Sequence, residues 1–236
     1  MIMTEQPQRA MVIVAHPDDA EFTVAGTVAR WVREGKEVIY VICTDGSRGS
    51  NDPNLELAAL AAIRKAEQNA AARILGVKEV VYLDYEDGTL EPTLALRRDL
   101  TRAIRRHRPD IVVCSDPTTR YHGDDYLNHP DHRAAGDAAL DAVFPSAGTR
   151  YIFSELLAEG LEPHQVRELY LHGHPSPNCW IDISDTIDLK IAALKQHDSQ
   201  VGGWEGLDEG MRAWAQENGA SQGLAYSESF KRMTLG

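Results

Sequence analysis

The stretch MVIVAHPDD, residues 11–19, decides the fold of this chain. It begins with an uninterrupted apolar run and ends in a histidine, a proline and two aspartates. A strand that is apolar at every position, rather than at every second one, is typical of a parallel sheet buried on both faces. Polar side chains directly after such a strand lie at its carboxyl end, where open parallel sheets bind ligands. The sequence therefore predicts a parallel sheet with a polar site at the end of its first strand.

Similar apolar runs alternate with helical patterns through the first half of the chain. Strands are predicted at 37–43, 79–83 and 111–114, and helices at 22–33, 55–75 and 94–107. Gly76 and Pro109 follow two of these helices, as helix ends favour. Successive β-α-β units imply right-handed crossovers. We predict an α/β fold: a single domain, residues 1–236, with a doubly wound, mostly parallel, Rossmann-like sheet and helices on both faces.

The second half of the chain has a less regular pattern. Helices are predicted at 130–143 and 186–197, and strands at 166–172 and 179–183. Residues 198–223 are rich in glycine and contain Trp204 and Trp214. This segment is either a mobile lid or a helix–loop region. Core packing is the simpler interpretation of the two tryptophans, and covering part of a ligand is the alternative.

The charge balance excludes several classes of partner. The 236 residues include 24 Lys and Arg against 36 Asp and Glu, a formal net charge of −12. Such an acidic surface repels phosphate backbones and anionic lipids, so we expect neither nucleic-acid nor membrane binding. Three cysteines without a CxxC pair argue against disulfides and for a reducing cytoplasm. The N-terminal MIMTEQPQRA lacks the apolar core of a signal peptide, and no apolar run is long enough to span a bilayer.

Two His-Pro-Asp clusters, residues 16–19 (HPDD) and 129–132 (HPDH), indicate a metal site. Each cluster alone is also explained as a strand-to-helix turn with a capping aspartate. Adjacent carboxylates beside a histidine repel one another, however, unless a cation or a proton intervenes. The predicted fold brings both loops to one sheet edge. His16, Asp19 and His132 are the predicted ligands of one Zn²⁺, and two histidines with one carboxylate leave a position open for water, as in catalytic zinc sites.

The remaining polar residues of the two clusters have predicted catalytic roles. Asp18 can reach a metal-bound water as the general base, and His129 lies one helical turn before His132. Asp131 is expected to fix the tautomer of the His129 ring through a hydrogen bond from its carboxylate. Three other histidines have simpler interpretations. His172 and His174 are expected at the surface or in loops, and His197 either lines the pocket or caps its helix.

The motifs AHPDDAE (15–21) and HPDH (129–132) resemble those of the LmbE-like, or PIG-L, zinc-dependent N-acetylglucosamine deacetylases. This family includes enzymes of mycothiol and bacillithiol biosynthesis, and the spacing of DDAE is more similar to the bacillithiol or general LmbE branch. The resemblance implies zinc on His16, Asp19 and His132, Asp18 as general base, and His129 as oxyanion stabiliser or acid. It also implies that Arg64 and Asp87 bind sugar hydroxyls. The alternative for Arg64 is a surface residue paired with Glu67 or Glu56. Glu21 either supports the site or is a carboxylate in the first turn of a helix, where the helix dipole stabilises a negative charge.

The predicted reaction is hydrolysis of an N-acetyl amide in a small N-acetylglucosaminyl conjugate. The predicted metal is one Zn²⁺, with Fe²⁺ as the alternative. The resemblance also makes a homo-oligomer plausible. A metal-dependent phosphoesterase with a two-metal site is the alternative. Its bridging carboxylates would come from Asp45, Asp84, Asp116, Asp124 and Asp125. A nucleotide-binding module is disfavoured, because HPDD stands where a glycine-rich phosphate-binding turn is needed.

Overall fold

A seven-stranded sheet forms the centre of the molecule. The structure, a computed structural model, describes residues 8–235, so the predicted domain limits and most of the N-terminal stretch used for the signal-peptide prediction lie outside it. The strands of the sheet are β1 (Arg9–Val14), β2 (Glu37–Thr44), β3 (Glu79–Tyr85), β4 (Ile111–Ser115), β7 (Glu168–His172), β8 (Cys179–Asp182) and β9 (Ser227–Thr234). A separate short hairpin consists of β5 (Tyr121–His122) and β6 (Tyr126–Leu127).

The sheet has the order β3-β2-β1-β4-β7-β9-β8. Strands β3, β2, β1, β4 and β7 pair in parallel, whereas β9 runs antiparallel to both β7 and β8. The chain moves outward from β1 to β3 and then returns to the other side of β1 with β4. This reversal of strand order creates a crevice at the carboxyl ends of β1 and β4. The prediction of a doubly wound, mostly parallel sheet is confirmed.

Helices cover both faces of the sheet. They are α1 (Asp19–Thr23), α2 (Ala25–Arg33), α3 (Leu57–Leu75), α4 (Leu94–His107), α5 (Pro130–Asp141), α6 (Ile187–Leu194), α7 (Asp198–Val201) and α8 (Leu207–Ala220). Alternate residues of β1 enter opposite layers: Met11 and Ile13 pack with α4 and α5, and Val12 and Val14 pack with α1 and α2. Burial on both faces explains why β1 is apolar at every position.

The predicted helix at 22–33 is divided into α1 and α2 at Val24, whose φ of −133° and ψ of 3° are not helical. The carboxylate of Glu228 on β9 explains the division. It accepts the backbone N–H groups of Gly26 at 3.0 Å and Thr27 at 2.7 Å, and thereby satisfies donors at the start of α2. Glu228 is more than 200 residues away in sequence, so no local pattern indicates this helix start.

Residues 198–223 form a packed helical segment, with Val201, Leu207, Met211 and Ala215 in a small core against α6. The two tryptophans are not core residues: Trp204 is 51% exposed and Trp214 45% exposed. Core packing was therefore the wrong interpretation for them. Strand β9 was not predicted. Among the described residues, no helix combines the length and apolarity needed to cross a membrane.

Candidate active site

The turn between β1 and α1 places the first cluster at the carboxyl edge of the sheet. Asp18 precedes α1 with φ 100° and ψ −28°, a left-handed conformation that non-glycine residues rarely adopt. The backbone N–H of His16 donates to Asp19 Oδ2 at 2.8 Å, which closes the turn. His16 and Asp18 are buried, with 7% and 8% of their surface exposed. The strained turn therefore directs two polar side chains into the crevice.

The start of α5 carries the second cluster. His129 occupies the N-cap and Pro130 the first helical position, where its missing N–H costs no hydrogen bond. The helix lies directly against β4, because a Cβ added at Gly136 would lie 2.5 Å from the carbonyl oxygen of Ser115. His132 follows one helical turn after His129, and its Nδ1 lies 3.1 Å from Asn128 Oδ1. This contact leaves Nε2 of His132 directed at the first cluster.

Asp19 connects the two clusters. Its Oδ1 lies 3.0 Å from His132 Nε2, and its Oδ2 lies 3.4 Å from His16 Nδ1. Tetrahedral zinc with bonds of 2.0–2.1 Å holds its ligand atoms roughly 3.3 Å apart, which is similar to both separations. The three predicted metal ligands therefore lie together, although His132 is more than 110 residues away from His16 and Asp19 in the sequence.

Two further groups of side chains converge on His16. Nitrogen atoms of His16, His129 and His132 lie within 4.8 Å of one another, and so do a His16 nitrogen and carboxylate oxygens of Asp87 and Asp131. Asp19 belongs to neither group, although its two oxygens contact the rings of His16 and His132. All of these donors are imidazoles or carboxylates, the ligand types that suit Zn²⁺ and Fe²⁺.

The Asp131 carboxylate supports His16 rather than His129. Its Oδ2 lies 3.3 Å from His16 Nε2, and its two oxygens accept the backbone N–H groups of Gly88 and Leu90. Its Oδ1 is 3.9 Å from His129 Nδ1, too far for a hydrogen bond. The predicted carboxylate contact to His129 is therefore corrected. The backbone N–H of Asp131 donates to His129 Nδ1 at 3.1 Å instead, so the proton of a neutral His129 is on Nε2.

Asp87 and Arg64 lie beside the same cluster. Asp87 Oδ1 is 3.1 Å from His16 Nε2, and its Oδ2 accepts the backbone N–H of Arg48. Arg64 is 4% exposed and donates to Asp18 Oδ2 at 3.1 Å, Pro17 O at 2.6 Å and Gly46 O at 3.0 Å. Its interpretation as a surface residue paired with Glu67 or Glu56 was wrong. The predicted contacts of Arg64 and Asp87 with sugar hydroxyls stay a prediction.

Charge is concentrated in this cluster. Burial alone would lower the pKa of His16, but Asp19 and hydrogen bonds to nearby carboxylates raise it well above its usual value. Burial raises the pKa of Asp18 to about 6 against the opposing effect of Arg64. Burial, together with His16, lowers the pKa of His129. Four buried or nearly buried carboxylates, at positions 18, 19, 87 and 131, face this small volume, and such an acidic surrounding favours a divalent cation.

The carboxylates required by a two-metal phosphoesterase lie elsewhere. Asp116 accepts hydrogen bonds from Thr118 and Thr119 in its own turn, and Asp84 is exposed and lies 3.6 Å from Lys65. Asp45 accepts the backbone N–H of Ser47. Within residues 8–235, the groups of three side chains that could hold a metal include none of the five aspartates proposed for that site.

Several residues that support the cluster were not predicted to do so. Gln68 on α3 is fully buried and contacts both Asp18 and Glu21. His197 is also fully buried, with Nε2 3.2 Å from Glu21 Oε2, so its side chain neither lines an open pocket nor caps the C-terminus of its predicted helix. His172 is 9% exposed and contacts Ser115 Oγ, which corrects its placement at the surface. The periodicity of α3 places Gln68 one turn after Arg64, and this spacing was the available signal.

Residues 11–143 match the family model described as PIG-L, GlcNAc-PI de-N-acetylase. The chain belongs to this family. It is 34% identical over 226 residues to diacetylchitobiose deacetylase of Thermococcus kodakarensis, covering 95% of this chain and 82% of that protein. It is also 27% identical over 202 residues to a probable N-acetyl-α-D-glucosaminyl L-malate deacetylase 2 of Bacillus anthracis, covering 82% and 81%.

Solved structures of the family show the same fold. N,N'-diacetylchitobiose deacetylase from Pyrococcus horikoshii superposes with a TM-score of 0.90 at 34% identity, covering 98% of this chain and 85% of that one. PIG-L deacetylases are metal-dependent hydrolases. The family resemblance inferred from the HPDD and HPDH motifs is confirmed.

Proposed function

We propose that this PIG-L protein hydrolyses the N-acetyl group of a small N-acetylglucosamine-containing molecule and releases acetate and a free amino sugar. The convergence of His16, Asp19 and His132 beside Asp18 and His129 carries the proposal. The names of the relatives support the substrate class, since they describe deacetylases of diacetylchitobiose, of an inositol glycoside and of a malate glycoside. Diacetylchitobiose is the first candidate, because the relative with 34% identity carries that name.

His16, Asp19 and His132 would hold one divalent metal ion, Zn²⁺ in the first instance and Fe²⁺ as the alternative. When bound, such an ion polarises the acetyl carbonyl and lowers the pKa of water. Asp131 and Asn128 keep the two imidazoles in place through their contacts with His16 Nε2 and His132 Nδ1. Hydrogen bonds of this kind fix the tautomer of a liganding histidine and hold its ring in position.

Asp18 would accept the proton of the attacking water. Arg64 engages its Oδ2 at 3.1 Å, so we assign the proton transfer to Oδ1. His129 would donate a hydrogen bond from its Nε2–H to the oxygen that becomes negative as water adds to the acetyl carbon, and would keep that proton in this step. When the C–N bond breaks, the leaving nitrogen takes a proton from Asp18 or His129. Water and the amide are thereby converted to acetate and amine without a further reactant.

Release of primary amine and acetate from a panel of conjugates tests the proposal. The panel contains N,N'-diacetylchitobiose and the N-acetylglucosaminyl conjugates of inositol and malate, each with and without a chelator. We expect chelator-sensitive release from at least one of them and one metal ion per chain. Asp18→Asn should retain the metal and lose about 10²-fold or more in kcat. Two metal ions per chain, with phosphoester rather than amide cleavage, would support the alternative.

The proposal also includes a cytoplasmic location and an assembly of several copies of the chain. Cys43, Cys114 and Cys179 are unpaired, which fits a reducing compartment. Large apolar side chains at Leu127 and Tyr151 are 78% and 85% exposed, and such surfaces favour association. Light scattering of the purified protein measures the number of copies.

A further inference from the structure

A network of hydrogen-bonded, buried side chains begins at the backbone of Asp18 and extends into the protein. The Asp18 N–H donates to Gln68 Oε1 at 3.0 Å, and Gln68 Nε2 donates to Glu21 Oε1 at 3.0 Å. His197 Nε2 lies 3.2 Å from Glu21 Oε2. Gln68, Glu21 and His197 are each 0% exposed. Glu21 also contacts Asp18 directly, because its backbone N–H donates to the Asp18 carbonyl oxygen at 2.9 Å.

The hydrogen bonds determine how the polar groups of this network are oriented. A carboxylate only accepts, so Gln68 must present its NH2 group to Glu21 and its oxygen to the Asp18 N–H. Likewise, His197 must carry a proton on Nε2 to contact Glu21. A rotation of the Gln68 amide by 180° would place two donors face to face at Asp18 and two acceptors face to face at Glu21. The Gln68 oxygen is therefore held at one point.

The Gln68 oxygen accepts the N–H of Asp18, the residue with the strained backbone conformation. A non-glycine residue at φ 100° persists only when its surroundings hold it, and such strain clusters at functional sites. Relaxation of this φ angle would turn the peptide N–H away from Gln68 and change the direction of the Asp18 side chain. We propose that Gln68, fixed by Glu21 and His197, is a positioning residue that holds Asp18 in this conformation and so aims its carboxylate at the substrate.

This inference rests on the proposed function in one respect, since it assigns Asp18 as the proton acceptor. Exchanging the carboxamide of Gln68 with the carboxylate of Glu21 tests the inference. Gln68→Glu keeps the size of the side chain but places its carboxylate against that of Glu21. In the double variant Gln68→Glu/Glu21→Gln the contacts are complementary again, because the new carboxylate at position 68 accepts from Asp18 and from the new amide at position 21.

Crystal structures and kinetics of the metal-loaded variants give independent readouts. In Gln68→Glu we expect Asp18 to leave the left-handed region and kcat to fall about 10- to 100-fold, with KM within about twofold, as a displaced catalytic group predicts. The double variant should restore the Asp18 φ angle and bring kcat to within about fivefold of the wild type. The conformation of Asp18 tests the inference even if the wild type releases no acetate, which would count against the proposed function alone.

Glu228→Gln is the matched control. Glu228 is also a buried carboxylate, 4% exposed and paired with Lys190, but its other hydrogen bonds go to the backbone at the start of α2. This variant should unfold at a lower temperature and keep its kcat. An unchanged Asp18 conformation and kcat in Gln68→Glu would overturn the inference. So would a double variant that fails to fold or leaves Asp18 displaced, or a Glu228→Gln variant that loses kcat as strongly as Gln68→Glu.

Discussion

The Asp131 carboxylate joins the HPDH motif to His16 of the HPDD motif, with Oδ2 3.3 Å from His16 Nε2. It also accepts the backbone N–H groups of Gly88 and Leu90, which follow β3. Asp131 is 0% exposed. The ends of three separated segments therefore meet at one side chain, and the position of the His16 ring depends on its charge and geometry.

Asp131→Asn should weaken metal binding about 10- to 100-fold. The carboxamide has one accepting oxygen where three donors converge, so its NH2 group must face at least one N–H. Competition with a chromophoric chelator measures the affinity. Asp116→Asn is the control, since Asp116 is 2% exposed and bonded within its own turn. Equal affinities of the Asp131→Asn variant and the wild type would exclude this support of His16.

Asp18 and Arg64 should show strong energetic coupling. Removing one partner from a buried ion pair leaves the other charge unpaired and costs about 3–5 kcal/mol. Arg64→Met should therefore lose about 3 kcal/mol of unfolding free energy, and clearly less in the Asp18→Asn background. Urea denaturation of the two single variants and the double variant, all with the metal chelated, gives the coupling. Additive losses would show that the contact at 3.1 Å contributes little to stability.

Gly136→Ala should destabilise the protein although alanine favours helices. The added methyl would lie 2.5 Å from Ser115 O, so α5 must move away from β4, and we expect a loss of about 1–3 kcal/mol. The displacement should also weaken metal binding through His132. Gly210→Ala in α8 is the matched control, because nothing lies within 4 Å of its added Cβ, and it should gain up to about 1 kcal/mol. Thermal and urea unfolding compare the two, and a stabilised Gly136→Ala variant would contradict the close packing.

The sheet and the predicted metal cluster could be read from the sequence for one physical reason. Apolar strands such as β1 must be buried on both faces, and that requirement fixes which loops share the carboxyl edge. His16 and His132 follow from this rule together with the HPDD and HPDH motifs. The start of α2 does not, because its capping group, Glu228, comes from the far end of the chain.

The orientation of individual polar groups was beyond the sequence for the same reason. The motif HPDH places Asp131 beside His129, which suggested a contact between their side chains, but the carboxylate turns to His16 on another strand. The buried contact of His197 could not be predicted from local sequence, because its partner, Glu21, is 176 positions away. Spacing along the chain predicts which elements meet. The direction of a polar side chain depends on the residues that other elements place against it.

His172 should make the folded state sensitive to acid. It is buried at the end of β7 against Ser115, and burial lowers its pKa from 6.5 to about 4. The charged groups that act on it are Asp19, His132, Lys190 and Asp116. Between pH 6.5 and 4 the unfolded chain binds a proton at His172 that the folded protein does not. The stability associated with neutral His172 is therefore complete above pH 6.5 and is lost as the pH falls toward 4.

The lost stability should amount to roughly 2 kcal/mol at pH 5. His172→Gln keeps a polar group beside Ser115 but does not titrate, so its unfolding free energy should fall less between pH 7 and pH 5 than that of the wild type. Urea denaturation of both proteins at several pH values, with the metal chelated, measures the difference. Parallel curves for the two proteins would mean that His172 is protonated equally in the folded and unfolded states, and that its burial against Ser115 does not govern its charge.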